Sequence, residues 1–175
     1  DYTVKSISNT LYTAKDFTFS GKAEAKGTDA GTYEMKVNAS DFKNNSKNFS
    51  NVEFVVEDGT LTIEKRKVTL TSADDSKVYD GKALTNDTVT VSGDGFAENE
   101  GATYKVTGTI TNVGEKANAF TYKLNEGTKV DNYDIKKTEG TLKVTPVTTN
   151  VLVKVKENGG NETYDGSEKT VEGYT

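Results

Sequence analysis

The chain contains no cysteine, histidine or tryptophan, and only one proline and one methionine. Without Cys or His there is no thiolate or imidazole metal site, no Cys nucleophile and no Ser-His-Asp triad, so only carboxylates, Lys and Tyr remain as catalytic groups. An acid-pair glycosidase would still need two facing carboxylates about 5–10 Å apart in a deep cleft, which small domains rarely supply; no enzyme is expected. A basic excess is also missing. The 22 bases and 27 acids give a net charge of −5 and are spread along the chain. Phosphate recognition needs a concentrated basic patch, so no nucleic-acid partner is expected. No apolar run approaches the roughly 18 residues of a membrane span, so no membrane contact by this segment is expected. No signal peptide opens the sequence and no sorting tail closes it, as expected of a segment cut from a longer protein.

What is present is short-range alternation. Apolar residues make up 33% of the chain, little for one large core, but they fall in period-two runs that read as half-buried strands. Examples are "VTLTS" (Val68, Leu70), "TVTVSG" (Val89, Val91), "YKVTGTI" (Tyr104, Val106, Ile110), "FTYKL" (Phe120, Tyr122, Leu124), "NYDIKK" (Tyr133, Ile135) and "GTLKVT" (Leu142, Val144). Gly, Asn and Asp clusters of the kind that make turns separate them. No segment carries a 3.6-residue apolar stripe, and "GFAENEGA" reads as a loop or a single turn.

A longer period overlies the alternation. "NVEFVVEDGTLTI" (51–63) aligns without a gap on "NYDIKKTEGTLKV" (132–144) at an offset of 81 residues, with Phe54 on Ile135 and Gly59 on Gly140. "DAGTYEMKV" corresponds to "NVGEKANAFTYKL" with Gly31 on Gly114, "FTFSGKA" matches "TYKVTGT", and Tyr79-Asp80-Gly81 recurs as Tyr164-Asp165-Gly166 at an offset of 85 residues. Such periodicity predicts three pieces: a first unit (1–64) lacking its opening strands, a complete middle unit (67–145), and the first half of a further unit (146–175). The incomplete pieces are complementary. Either they are ragged ends within a long array, or 146–175 supplies the missing strands of 1–64, within one chain or by strand exchange between chains.

The Tyr-Asp-Gly after a strand, the Ala/Val-Gly about thirty residues on, then Asn-Tyr-x-Ile and Gly-Thr-Leu-x-Val resemble the MBG/YDG-type repeat domains of bacterial cell-surface adhesins. Those domains are similar to mucin-binding or Ig-like stalk repeats of Gram-positive, gut-dwelling bacteria. The resemblance implies an extracellular, wall-anchored parent protein, with neighbouring repeats of the array as partners and host mucin or glycans as candidate ligands. The fold class expected is all-β: small antiparallel sheet domains, Ig-like sandwich or grasp-like, in tandem.

Asp-Gly is a turn dipeptide, and the Tyr before it can lay its ring on the core. The competing reading makes Tyr79, Asp80, Tyr164 and Asp165 an exposed sugar platform. Exposure of Tyr79, Tyr104, Tyr122, Tyr133 and Tyr164 separates a stalk module from a glycan- or host-protein-binding module. No cofactor is expected apart from calcium, for which Asp74, Asp75 and Asp80 in one loop, and Asp94, Glu98 and Glu100 in another, are candidate ligands. Lys67 or Lys77 with Asn132 are candidates for an isopeptide bond promoted by a nearby acid. The sequons at Asn38, Asn48 and Asn161 are what an Asn- and Thr-rich chain produces by chance.

Overall fold

The computed structural model describes residues 2–174; Asp1 and Thr175, at the ends of the first and last pieces, lie outside it. The described residues hold no α-helix, and the alternating runs form short strands in two- and three-stranded sheets. The all-β expectation stands, with one addition: some of the pairing is parallel.

In the first unit, β1 (Phe17–Phe19) pairs antiparallel with β3 (Phe42–Asn44), and β2 (Gly31–Glu34) pairs antiparallel with β4 (Thr60–Ile63). A 3-10 turn at Ala39–Asp41 leads into β3, with the Asp41 carboxylate accepting the Asn38 N–H at 2.9 Å. Aromatic rings supply most of the packing. Phe17, Phe19, Phe42, Phe54 and Tyr2 pack together with centroids 4.9–6.5 Å apart, while Tyr12 stacks on Phe17 and meets Phe49 edge-on. Only Tyr12 and Phe17 of this unit are buried, and residues 51–58 join no strand. The side chains of 52–57 still alternate, with Val52, Phe54 and Val56 half-buried and Glu53, Val55 and Glu57 exposed, but no strand lies beside them.

The middle unit contains β5 (Arg66–Ser72), β6 (Asp75–Val78), β7 (Val89–Gly93), β8 (Ala102–Val106), β9 (Gly114–Ala117), β10 (Phe120–Leu124), β11 (Tyr133–Thr138) and β12 (Thr141–Thr145). Its sheets are ordered β11-β5-β7, β6-β12-β9 and β10-β8. "GFAENEGA" is a loop, as its glycines require. One core joins Val68, Leu70, Phe120 and Tyr133, flanked by Val89, Phe96, Tyr104, Val106 and Ile135; a second joins Leu84, Leu142 and Val144 with Ile110 against them. Each fully buried aliphatic side chain contributes roughly 1.5–3 kcal/mol.

β5 runs parallel to β11, with Arg66 opposite Tyr133, and β6 runs parallel to β12, with Asp75 opposite Leu142 and Val78 opposite Thr145. The register is the same on both sides of the break at Ala73-Asp74 and Glu139-Gly140. Residues 66–78 and 133–145 are therefore one continuous parallel ladder that kinks from one sheet into the other, a way of turning a corner between packed sheets.

The first unit repeats part of this plan. Gly31 lies opposite Ile63 as Gly114 lies opposite Val144, and the Met35 N–H donates to the Gly59 carbonyl at 2.9 Å as the Asn118 N–H donates to the Gly140 carbonyl at 2.7 Å. The counterparts of β5 and β6 are missing beside 51–63.

Residues 146–174 form no strand and are exposed throughout, with a lone bridge between Glu157 and Tyr174. They do not pair with the first unit within the chain, as complementation in one molecule would require. The complete middle unit stands between the two segments, and β12, from which the tail emerges, has β6 on one edge and β9 on the other.

Candidate functional site

The kink of the parallel ladder encloses two buried polar side chains, Ser72 and Asn118. At this point β5 and β11 pass so close that a Cβ on Gly140 would stand 2.5 Å from the Ser72 and Ala73 carbonyl oxygens. Glycine alone fits. The buried Ser72 hydroxyl donates to the Asn118 carbonyl at 2.6 Å and accepts the Gly140 N–H at 2.9 Å. The Asn118 side chain, fully enclosed, donates its amide hydrogens to the carbonyls of Ala73 (3.0 Å) and Asn86 (2.9 Å). Its Oδ1 has no hydrogen-bond partner and faces Gly108, where a Cβ would sit 2.3 Å away. This hub satisfies backbone groups that the change of sheet would otherwise leave unpaired in a dry interior. Sequence reading did not find it; Asn118 inside the otherwise alternating run "EKANAFTY" was the available signal.

Both Tyr-Asp-Gly copies fold as the same tight turn. Gly81 and Gly166 have φ of +76° and +80°, the left-handed region that glycine enters at little cost. Asp80 Oδ1 accepts the Lys82 N–H at 3.0 Å, and Asp165 Oδ1 accepts the Ser167 N–H at 2.9 Å. The Lys77 ammonium on Asp80, together with the Lys82 N–H, holds that carboxyl below its usual range. On Asp165 the Lys169 ammonium, then the Ser167 hydroxyl and N–H, lower the pKa to about 2. The tyrosines depart from the expected core-facing placement: Tyr79 is 41% exposed and Tyr164 92% exposed. Tyr122 is also exposed, on β10, but Tyr133 is buried and Tyr104 half-buried, so the five rings do not form one exposed set.

All but one of the candidate calcium ligands have hydrogen-bond partners. Asp74 accepts the Thr141 N–H, Asp75 accepts the Ser76 N–H and the Asn86 amide, Asp94 accepts the Lys67 N–H, and Glu100 accepts the Tyr133 hydroxyl, while Glu98 is exposed. Among the described residues no group of three or more acids is arranged to hold a metal ion. Asp75 opens β6, a strand that its acidic setting hid in the sequence. Asp74, Asp75, Ser76, Thr141 and Lys143 line a shallow, open groove, not the deep cleft that paired-acid hydrolysis needs.

The isopeptide candidates are not brought together. Lys77 Nζ is engaged by Asp80 and by the carbonyls of Lys82 and Ala83, and Lys67 is exposed on β5 opposite Asp134. Asn132 instead meets the first unit.

The first unit repeats part of the middle unit's plan, with Gly31 and Gly59 at the positions of Gly114 and Gly140 and β2 paired with β4 as β9 is with β12. Residues 2–65 match the family model of the MBG domain. Neither curated proteins nor solved structures gave a match to the chain.

The first unit touches the middle unit through a compact polar junction. Asp29, just before β2, accepts hydrogen bonds from Lys129 Nζ at 2.8 and 3.1 Å and from Asn132 Nδ2 at 2.9 Å. Asn132 Oδ1 in turn accepts the Ala30 N–H at 2.7 Å. Lys129 is the N-cap of the 3-10 turn Val130–Asn132 and Asn132 its last residue, which fixes their spacing at the entry to β11. The Lys129 ammonium, followed by the Asn132 amide, lowers the Asp29 pKa, and Asp29 raises that of Lys129. Lys, Asp and Asn thus meet here, the three groups of an isopeptide site. The exposed, charge-stabilised Lys129 keeps its proton and is no nucleophile.

Proposed function

We propose that this segment is a non-catalytic stalk region of a bacterial cell-surface protein, outside the cell on a wall-anchored Gram-positive parent, where it bears load between the wall and a distal binding domain. The observation that carries the reading is the kinked parallel ladder. The chain enters the middle unit at the start of β5 and leaves it at the end of β12, and these strands belong to ladders of parallel partners. Tension between the two ends slides parallel neighbours past each other, so the hydrogen bonds of a ladder resist together. The MBG match over residues 2–65 supports a surface-associated repeat module, and the hydrogen-bonded junction supports transfer of force from one unit to the next.

Single-molecule pulling tests this reading. The middle unit held at Lys65 and Pro146 is loaded in shear, whereas held at Lys65 and Asp131 it is peeled from one end of the β5–β11 ladder. A clearly higher unfolding force in the first geometry is expected; equal forces would remove the mechanical reading.

Exposure of Tyr79 and Tyr164 beside their Asp-Gly turns favours a second reading, in which the segment binds mucin glycans or a host protein weakly at many repeats. A flat aromatic ring next to a carboxylate offers a sugar a stacking face and a hydrogen-bond acceptor, and avidity over many repeats compensates for the weakness of each contact. Binding to immobilised mucin glycans that falls when Tyr79→Ala and Tyr164→Ala are combined supports it. Binding no higher than background discards it.

A further inference from the structure

Two segments of this chain have the sequence of paired strands and, among the described residues, join no strand partner. In the middle unit Ile135 of β11 lies opposite Val68 of β5. The repeat offsets carry Ile135 to Phe54 and Val68 to Val153. Phe54 lies in the unpaired stretch 51–58, where Val55 is 88% exposed; Val153 lies in the unpaired stretch 151–157, where Val151, Leu152, Val153 and Val155 are 83, 78, 74 and 61% exposed. The turn after the donor strand is also in place, since Asn158-Gly159 falls where Ala73-Asp74 separates β5 from β6.

We propose that residues 151–156 of a second copy of this chain add to the MBG segment as a parallel strand beside 52–57, with Phe54 opposite Val153 and Val56 opposite Val155. This pairing goes beyond the stalk reading and does not depend on it. Charge supports the choice of partner. The acceptor stretch carries Glu53, Glu57 and Asp58, the donor stretch carries Lys154 and Lys156, and the transferred register sets Glu57 directly opposite Lys156. Glu57 now holds only the exposed Lys5, a weak contact that is readily exchanged. Opposite charges across a strand pair favour that register, and a slip by one residue would turn the apolar set outward. Glu157 falls at the position of the buried Ser72, so the added strand closes over 151–156 and ends before the crossing. Each copy donates at one end and accepts at the other, which makes the contact head-to-tail and generates rings or open chains of copies.

The absence of cysteine gives a clean test on the full chain. Glu57→Cys and Lys156→Cys chains, differently tagged and mixed under mild oxidation, are expected to form a mixed disulfide, because directly opposed strand residues lie within bridging distance. Glu57→Cys with Lys154→Cys, two residues out of register, is expected to form much less. Light scattering on the unmodified chain is expected to show mass rising with concentration, and Val153→Asp with Val155→Asp to return it to the monomer; both side chains are exposed, so the fold is untouched. A monomer at every concentration overturns the proposal. So do cross-links equal in both registers, association that survives the Asp substitutions, or a monomer that instead takes up a free peptide spanning Arg66–Ser72.

Discussion

Asn132 Nδ2 donates to Asp29 Oδ1 at 2.9 Å across 103 residues of chain, and the Asn132 side-chain oxygen accepts the Ala30 N–H next door. One side chain thereby binds both a carboxylate and a backbone group of the neighbouring unit, which fixes orientation as well as distance. Replacing Asn132 with Ala is expected to leave the folds of both units intact and to loosen the angle between them. X-ray scattering should show a longer, broader distance distribution, and NMR relaxation should show the two units tumbling with separate correlation times. Unchanged scattering would mean that the junction is set elsewhere.

The same contact predicts a pH response. Asp29 has a lowered pKa in the folded state, so its contribution is present above the unfolded carboxylate value of about 4 and is lost as pH falls through the lowered folded value. Lys129 has a raised pKa, so its contribution is present below the unfolded lysine value of about 10.4 and is lost as pH rises through the raised folded value. The fixed junction angle should hold across the neutral range and relax at both extremes. In the Asp29→Asn variant the acid-side change in scattering should vanish.

Gly108 and Asn118 define the most sensitive pair in the middle unit. A methyl group on Gly108 would meet Asn118 Oδ1 at 2.3 Å, so Gly108→Ala is expected to cost about 1–3 kcal/mol through overpacking. Asn118→Ala leaves the Ala73 and Asn86 carbonyls without their side-chain donor and is expected to cost about 2–3 kcal/mol. Urea midpoints report both, and the double variant should lose less than the sum because the two residues touch.

The units should unfold in two steps. The first unit buries only Tyr12 and Phe17 of its hydrophobic side chains, against Val68, Leu70, Leu84, Phe120, Tyr133, Leu142 and Val144 in the middle unit. Small domains with little buried surface are marginal. Tryptophan-free tyrosine fluorescence or calorimetry should give an early transition assigned to residues 2–65 and a later one assigned to 66–145. Leu70→Ala should lower only the second, by about 2–5 kcal/mol.

Alternation made the strands of the middle unit legible: "VTLTS", "TVTVSG", "FTYKL", "NYDIKK" and "GTLKVT" all fall within or across β5, β7, β10, β11 and β12. Period-two patterning identifies a strand's faces and not its neighbours, so the parallel pairing of β5 with β11 could not be read from it. Strand β6 was hidden because Asp74 and Asp75 resemble a ligand loop, whereas their carboxylates serve the Thr141, Ser76 and Asn86 groups around the crossing. In the first unit the sequence of 51–58 is as strand-like as that of 132–139. The difference lies in what stands beside it, a property of tertiary context that propensity does not contain. The Tyr-Asp-Gly turn was legible as a turn; the outward swing of Tyr79 and Tyr164 was not, because a ring before an Asp-Gly pair can lie on either side.

The register that joins residue 66 to residue 133 also sets an order of events in biogenesis. Strand β5 is synthesised first and gains β7 on one edge early, but its other edge has no partner until β11 follows, so the middle unit stays open on that side through most of its own synthesis. Pairings between residues this distant in sequence form slowly. A nascent middle unit therefore carries one half-paired strand, open along the edge that β11 will take, until residue 138 has been made.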